Sequence, residues 1–315
     1  MIGDNLMLKF PLLVSLAMTS VLGSLGTAAA PAKGTAAGDS ITMGFAADCT
    51  GNTFFTGGFF CLLGGDQPEH SWFDGDSSRV NSVHDKYRAI APNVAANKNA
   101  ARSGAEMRGG GDSFSVQADR ILSKTVVADH VEVVLGGNDI CNRDCVDPAN
   151  CSDPLLTESE WRGAVKAGLD KLVGGLPSGS TVLLGSVPRV QDLRAAGIAK
   201  QTGNWRVNCE SVWSTFGICR IATNGGTMNG ESFATRYAGI DAAQRLYNEV
   251  LQEEAAAYNG VNGVEVVAEY SGANQSNVGT FQFGKDDIDG GDCFHPSVRG
   301  QNTVANLMWN GNPDK

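Results

Sequence analysis

The stretch VEVVLGGND, residues 131–139, decides the fold of this chain. Its first five residues are mainly β-branched, and two glycines follow, which predicts a buried strand that ends in a tight loop. Two shorter runs with the same character lie at residues 181–184 and 264–267. Because helical patterns separate these runs, the sequence predicts an α/β layered fold with a parallel sheet.

Three helices are indicated between and after the strands. Thr157 and Glu160 have the spacing of a capping box and open an amphipathic segment. A longer helix is predicted over residues 232–258, and the last one follows Pro296 and ends near Trp309. No linker or internal repeat interrupts the pattern, so we expect one catalytic domain over residues 31–315.

The composition narrows the classes of partner. The 315 residues are 42% hydrophobic, enough for a large core, and the formal net charge of −10 disfavours binding to nucleic acid or to anionic membranes. The sequence does not indicate an oligomeric state.

The N-terminus resembles an export signal. Lys9 precedes an apolar run at residues 10–18, and small residues follow at 27–30, which predicts a signal peptide over residues 1–30 and a secreted or periplasmic protein. The alternative is a membrane anchor, but Ser, Thr and Gly interrupt the run, which is shorter than the ~20 residues that a span needs. No stable membrane span is therefore predicted.

Eight cysteines, an even number, also favour an oxidising compartment. Pairs such as Cys49–Cys61 and Cys209–Cys219 are plausible, although spacing alone leaves the connectivity open. A zinc site is disfavoured because the chain has no C-x-x-C and no paired histidines.

His295 is the candidate catalytic base. Asp292 precedes it by three residues on a loop flanked by glycine, and none of the other three histidines has such a carboxylate at this spacing. A carboxylate there can hold Nδ1 and leave Nε2 free to accept a proton from a serine.

Gly-Asp-Ser occurs three times, ending at Ser40, Ser77 and Ser113. Each fits a turn or a helix N-cap, and capping explains Ser113 well because a helical pattern follows it. Ser40 differs because it would end a first strand, at the sheet edge where active sites of open α/β sheets collect.

Two further positions can stabilise an oxyanion. Asn138 follows the strongest strand and carries an amide donor, although an ordinary strand-to-loop turn would also explain it. Gly104 offers a backbone N–H in a stretch that by itself indicates little.

Together, Gly38-Asp39-Ser40, Gly104, residues 136–139 and Asp292-x-x-His295-Pro296 resemble the four sequence blocks of the SGNH, or GDSL, hydrolases. The local sequences at 136–141, 292–295 and 71–76 are similar to the phospholipase B branch, which would make the second Gly-Asp-Ser a structural segment.

The resemblance implies a flavodoxin-like three-layer α/β/α sandwich and a secreted carboxylic-ester hydrolase, either an esterase or a lipase, including phospholipase or lysophospholipase activity. It implies that Ser40 is the nucleophile, that His295 is the base and then the acid, and that Asp292 orients His295. The oxyanion hole would comprise the Ser40 and Gly104 N–H groups and the Asn138 amide. An ester or lipid substrate would react through an acyl-serine, without a metal or cofactor.

The chain departs from the family pattern before Gly38, where residues 32–37 have low β propensity instead of forming a hydrophobic strand. The Phe-rich residues 54–63 fit an acyl-binding wall or flap, and also a core or disulfide-tied loop. The acidic residues 286–289 lack the spacing of an EF-hand, so a solvated acidic loop is the favoured interpretation over a Ca²⁺ site.

Two other functions remain open from the sequence. The same apparatus can act on sugar acetyl esters as a carbohydrate O-deacetylase. A secreted binding module without catalysis could also retain the fold.

Overall fold

In the computed structural model, residues 30–52, 65–96, 98–269 and 281–315 are described. The strands in this part are β1 Lys33–Gly38, β2 Ala95–Ala96, β3 His130–Val134, β4 Thr181–Leu184 and β5 Glu265–Ala268. All are parallel, in the order β2-β1-β3-β4-β5. The predicted parallel sheet is confirmed, and the runs predicted at residues 131–135 and 264–267 are each displaced by one residue from the observed strands.

Helices cover the sheet in two layers. They are α1 Val83–Ile90, α2 Phe114–Leu122, α3 Gly137–Cys141, α4 Glu158–Gly175, α5 Leu193–Gly203, α6 Cys209–Phe216, α7 Arg220–Thr223, α8 Phe233–Tyr258 and α9 Val298–Gly311. Helices α2, α4 and α8 pack together on one side, and α1 packs on α9 on the other. This arrangement confirms the three-layer α/β/α sandwich.

The capping signals in the sequence are used as predicted. Thr157 and Glu160 form a reciprocal capping box at the start of α4. Ser232 caps α8 through a hydrogen bond from the Thr235 N–H, and α9 begins two residues after Pro296. Side-chain caps satisfy backbone donors that no helical carbonyl reaches, which is why these boundaries were predictable.

Strand β1 forms a central strand despite its low propensity. It pairs with both β2 and β3. Its small residues permit close packing, since a Cβ at Gly34 would lie 3.2 Å from the Phe73 ring and one at Gly38 would lie 2.0 Å from Thr42 Oγ1. Tertiary packing therefore overrides intrinsic preference here.

Three disulfides link the described residues: Cys141–Cys219, Cys145–Cys151 and Cys209–Cys293. The predicted Cys209–Cys219 pair is wrong, because the two ends of that segment face different elements. The segment of residues 209–219, here called the bridging segment, is bonded at one end to the loop that carries His295 and at the other to α3. Disulfides of this kind are typical of proteins outside the cytoplasm.

Several predictions fall outside the described part of the chain. They are the signal peptide up to residue 29, the Phe-rich residues from 54 to 63, and Cys61 of the proposed Cys49–Cys61 pair. Over the ranges that the structure covers, no helix has the length and apolarity to cross a membrane.

Candidate active site

Ser40 lies in a tight turn at the carboxyl end of β1. The Ile41 N–H donates to Asp39 Oδ1 at 2.8 Å, which closes the turn around the serine. The buried Gln117 holds Gly38, two residues before the serine, since Oε1 accepts from the Gly38 N–H at 2.8 Å and Nε2 donates to the Gly38 carbonyl at 2.9 Å. Hydrogen bonds thus fix the backbone on both sides of the serine, at Gly38 and at Ile41.

The structure brings His295 to this serine across 255 residues of sequence. Nε2 of His295 lies 2.7 Å from Ser40 Oγ, and Nδ1 lies 2.5 Å from Asp292 Oδ2. The three side chains form a continuous hydrogen-bonded series. This arrangement lets the imidazole take a proton from the serine while the carboxylate stabilises the resulting charge.

The Asp292 carboxylate is held by its own loop. Oδ1 accepts from the backbone N–H groups of Phe294 and His295 at 2.8 and 3.0 Å. Burial disfavours the charged carboxylate, but the charge of His295 and the hydrogen bonds from its side chain and backbone hold the pKa of Asp292 below its usual range. Trp213, nearly buried on α6, donates from Nε1 to the Asp292 carbonyl at 3.1 Å.

Three hydrogen-bond donors surround the space in front of Ser40. No acceptor within the described ranges contacts the backbone N–H groups of Ser40 and Gly104. Gly104 has a φ of 81°, a conformation that favours glycine. Asn138 donates one amide hydrogen to the Ala105 carbonyl at 2.9 Å, which fixes the amide and leaves its second hydrogen for another acceptor.

Asp139, next to Asn138, joins α3 to the loop that carries Gly104. Its carboxylate accepts from the N–H groups of Met107 and Arg108 at 2.6 and 3.2 Å. Burial raises the pKa of Asp139 to about 7. The side chain therefore aligns the two elements that carry Asn138 and Gly104.

The other two Gly-Asp-Ser serines have local roles. Ser77 accepts from the Arg79 N–H at 3.3 Å within its own turn. Ser113 occupies the N-cap of α2, although its side chain makes no cap hydrogen bond. Trp72, just before the second copy, donates from Nε1 to Thr42 Oγ1 at 3.1 Å, so this segment packs against the Ser40 turn.

The acidic stretch before Asp292 is only partly solvated. Asp286 is exposed and Asp287 half-buried, as expected of a solvated loop, whereas Asp289 is fully buried, so that interpretation was wrong for Asp289. Within the described residues, Asp289, Asp292 and His295 form the one cluster with metal-ligand spacing. Nδ1 of His295 and Oδ2 of Asp292 are already hydrogen-bonded to each other.

A cavity of about 450 Å³ opens in front of Ser40. Its walls are largely apolar, formed by Phe45, Phe216, Ile218, Phe294 and the Cys141–Cys219 disulfide. The rings of Phe45 and Phe294 lie 4.6 and 4.7 Å from the His295 ring, measured between centroids. A hydrophobic group attached to the reacting carbon can be buried here.

Sequence reasoning missed two residues that position this site. Gln117 and Trp213 act through the backbone of Gly38 and Asp292, and neither lies in a recognisable motif. The only sequence signal for Gln117 was a glutamine on an amphipathic helix, and such a residue does not indicate which group it contacts.

Comparison with known proteins gives one family match. Residues 35–308 match the family model described as GDSL-like Lipase/Acylhydrolase, a span that includes Ser40, Gly104, Asn138, Asp292 and His295. A search of curated proteins found no significant match.

Similar solved structures are distant. A structural-genomics protein from Lactobacillus plantarum is 15% identical, with 89% of this chain and 95% of that chain covered and a TM-score of 0.39. An active-site mutant of a family two carbohydrate esterase from Clostridium thermocellum is also 15% identical, with 88% and 62% covered and a TM-score of 0.42.

Proposed function

Because this chain belongs to the GDSL-like lipase/acylhydrolase family, we propose that it is a serine carboxylic-ester hydrolase with Ser40 as the nucleophile. His295 is the general base and acid, and Asp292 orients it. The observation that carries the proposal is the series Ser40 Oγ to His295 Nε2 at 2.7 Å and His295 Nδ1 to Asp292 Oδ2 at 2.5 Å.

In the first half-reaction, Ser40 Oγ attacks the ester carbonyl carbon while its proton moves to His295 Nε2. The carbonyl oxygen becomes an oxyanion, which the Ser40 and Gly104 N–H groups and the free Asn138 amide hydrogen stabilise. When the carbonyl re-forms, the alcohol leaves and takes the proton from Nε2. An acyl-serine remains.

In the second half-reaction, water attacks the acyl carbon and gives a proton to His295 Nε2. The tetrahedral species collapses, Ser40 Oγ leaves and recovers that proton, and the carboxylic acid is released. Asp292 stays ionised throughout, because its role is to hold the ring and to stabilise the imidazolium.

The apolar walls of the cavity favour a substrate with a hydrocarbon acyl chain. Phe45 and Phe294 flank His295, and Phe216 and Ile218 extend the apolar surface away from the serine. We therefore propose an esterase or lipase, with phospholipids and lysophospholipids among the lipid candidates, and a protein that acts outside the cytoplasm.

The test is hydrolysis of p-nitrophenyl esters, from acetate to long acyl chains, by the wild type and by Ser40→Ala. Loss of the nucleophile should lower kcat by about 10⁴-fold or more. Ser77→Ala and Ser113→Ala are matched controls, since each removes a hydroxyl from the same tripeptide and should leave turnover within twofold. Full activity of Ser40→Ala would refute the assignment.

Two further assays separate the alternatives. Release of acetate from acetylated polysaccharide, without cleavage of any longer acyl ester, would favour a carbohydrate O-deacetylase. Failure of a fluorophosphonate probe to label Ser40 in the folded protein would instead favour the non-catalytic binding module.

A further inference from the structure

Asp289 is a buried carboxyl group that the proposed reaction does not use. Its side chain has no solvent exposure, and it lies three residues before Asp292 on the loop that carries His295. Oxygens of the two carboxyl groups and a ring nitrogen of His295 lie within 4.8 Å of one another. Asp289 therefore lies beside Asp292, at the far end of the hydrogen-bonded series that begins at Ser40.

The two oxygens of Asp289 have different surroundings. Oδ1 accepts from the N–H groups of Gly291 and Asp292 at 2.5 and 3.0 Å. Oδ2 is buried, and no donor in the described part of the chain contacts it. An ionised carboxylate with one oxygen unsatisfied would be costly in this position, whereas a protonated Oδ2 becomes a donor that needs an acceptor.

Among the described residues, no charged neighbour forms an ion pair with Asp289, although the Lys200 ammonium and the Asp289 carboxyl interact through space. Lys200 donates to the Ile288 carbonyl at 2.9 Å, Arg79 pairs with Asp48, and Arg299 pairs with Asp287. The titratable and charged groups around the loop are Asp292, His295, Lys200, Lys285, Asp286, Asp287, Asp48, Arg79 and Arg299. Burial and the adjacent Asp292 carboxylate hold the pKa of Asp289 well above its usual range.

We infer that Asp289 is a neutral positioning residue, whose Oδ2–H donates a hydrogen bond to the Asp292 carboxylate and so holds the Asp292–His295 pair toward Ser40. The main chain reinforces the same geometry, since the Asp289 N–H donates to the His295 carbonyl at 2.8 Å. Asp289 thus acts through Asp292 and does not touch the reacting atoms. The inference rests on the proposed serine hydrolase function.

Asparagine is a close mimic of the neutral acid, and this makes the inference testable. In Asp289→Asn, Oδ1 still accepts from the two N–H groups, and the amide N–H replaces Oδ2–H as the donor to Asp292. We expect Asp289→Asn to keep kcat within about threefold of the wild type. Asp289→Ala should lower kcat by roughly 10- to 100-fold with little change in KM, because the base is misplaced.

The pH profile distinguishes a neutral from an ionised Asp289. If the carboxyl is neutral, the midpoint of the acid limb of kcat/KM should agree between wild type and Asp289→Asn to within about 0.3 pH units. If it is ionised, Asp289→Asn removes a nearby negative charge and moves the limb to lower pH by about one unit. Asp39, whose pKa burial raises to about 6, also titrates near His295, but it is present in both proteins.

A spectroscopic readout is independent of turnover. The Nδ1 proton of His295, hydrogen-bonded to Asp292, should give a downfield proton NMR resonance at nearly the same position in wild type and Asp289→Asn, and a displaced or broadened one in Asp289→Ala. Asp286→Asn, an exposed change on the same loop, is the matched control for charge. If Asp289→Ala does not fold, the kcat and pH profile of Asp289→Asn, compared with those of the wild type, still test whether Asp289 is neutral.

The experiments distinguish a failure of the proposed function from a failure of the role inferred for Asp289. An inactive wild type would refute the proposed function while the NMR comparison still tests Asp289. An active wild type with Asp289→Asn as impaired as Asp289→Ala, or with its acid limb moved by a full unit, would overturn the role of Asp289.

Discussion

Asn138 shows how one side chain can serve structure and chemistry together. One amide hydrogen is committed to the Ala105 carbonyl, next to Gly104, and this contact sets the direction of the other. In the proposed reaction, the amide would need no reorganisation as charge develops on the substrate oxygen. Donors that are fixed before the reaction stabilise a transition state better than donors that must reorient.

We predict that Asn138→Ala lowers kcat by about 10²–10³-fold with KM changed much less, as is typical for loss of one oxyanion donor. Steady-state kinetics on the preferred p-nitrophenyl ester measure both constants. Asn306→Ala, an exposed asparagine on α9, is the control and should behave as wild type. A decrease in kcat smaller than tenfold would show that Asn138 is not an oxyanion donor.

The sequence predicted residues of the site where chemistry demands a residue type at a fixed spacing. Asp292 and His295 are close along the chain, so their contact was foreseeable, and Ser40 followed from its position after a strand. Asp289 and Trp213 were not foreseeable in their roles, because a carboxyl becomes neutral and an indole finds a carbonyl only through tertiary burial.

At the scale of elements, the bridging segment joins the two halves of the site. Cys209, at the start of α6, is bonded to Cys293 on the loop that carries His295, and Cys219 is bonded to Cys141 at the end of α3, which carries Asn138. Trp213 from the same segment contacts the Asp292 carbonyl. One covalently linked element thus holds both the loop that carries His295 and helix α3.

Removing the link to the loop that carries His295 should impair both stability and turnover. Replacing Cys209 and Cys293 by serine opens a loop with a separation of 84 residues, against 6 for Cys145 and Cys151. Chain entropy predicts losses of roughly 4–5 and about 2 kcal/mol, respectively.

Thermal unfolding and kcat of the two double variants test this expectation. The Cys209/Cys293 variant should have the lower melting temperature. At temperatures where it is still folded, its kcat should also be reduced, whereas the Cys145/Cys151 variant should keep its turnover. Equal turnover in both variants would show that the loop needs no tether.

Elements were predictable where local signals agree with packing. The run at 131–135 and the capping box at Thr157 agree with β3 and α4, because hydrophobic burial and capping both act locally. Strand β1 has no such signal, since its glycines and alanines are suited to the close approach of Phe73 and Thr42. The pairs Cys141–Cys219 and Cys209–Cys293 were likewise not predictable, because they depend on how helices α3 and α6 are placed.

At the scale of the whole molecule, a buried polar cluster lies at the opposite end of the sheet from Ser40. His130, at the start of β3, contacts Asp314 Oδ2 through Nδ1 at 2.8 Å and Glu132 Oε1 through Nε2 at 3.0 Å. Burial opposes the charged imidazolium, but these two partners outweigh it and raise the pKa of His130 to about 9. The C-terminal residues are thereby joined to the central sheet.

This cluster predicts a loss of stability in alkali. A histidine with a raised pKa stabilises the fold fully below its unfolded value of about 6.5, and the contribution disappears as the pH rises through about 9.

Unfolding free energies measured by denaturant between pH 6 and 10 should show this decline in the wild type and a flatter profile in His130→Gln, which starts from lower stability. His84→Gln, a change to a half-buried histidine on α1, should retain the wild-type slope. Parallel profiles for His130→Gln and wild type would contradict the charge assignment.

The two cross-links of the bridging segment also bear on how the protein is produced. A chain made where glutathione keeps thiols reduced could assemble its sheet and helices and still lack a firmly held catalytic centre. Soluble yield would then be a poor guide to specific activity. Export to the periplasm, or refolding with a thiol–disulfide couple, is the appropriate route to material for assay.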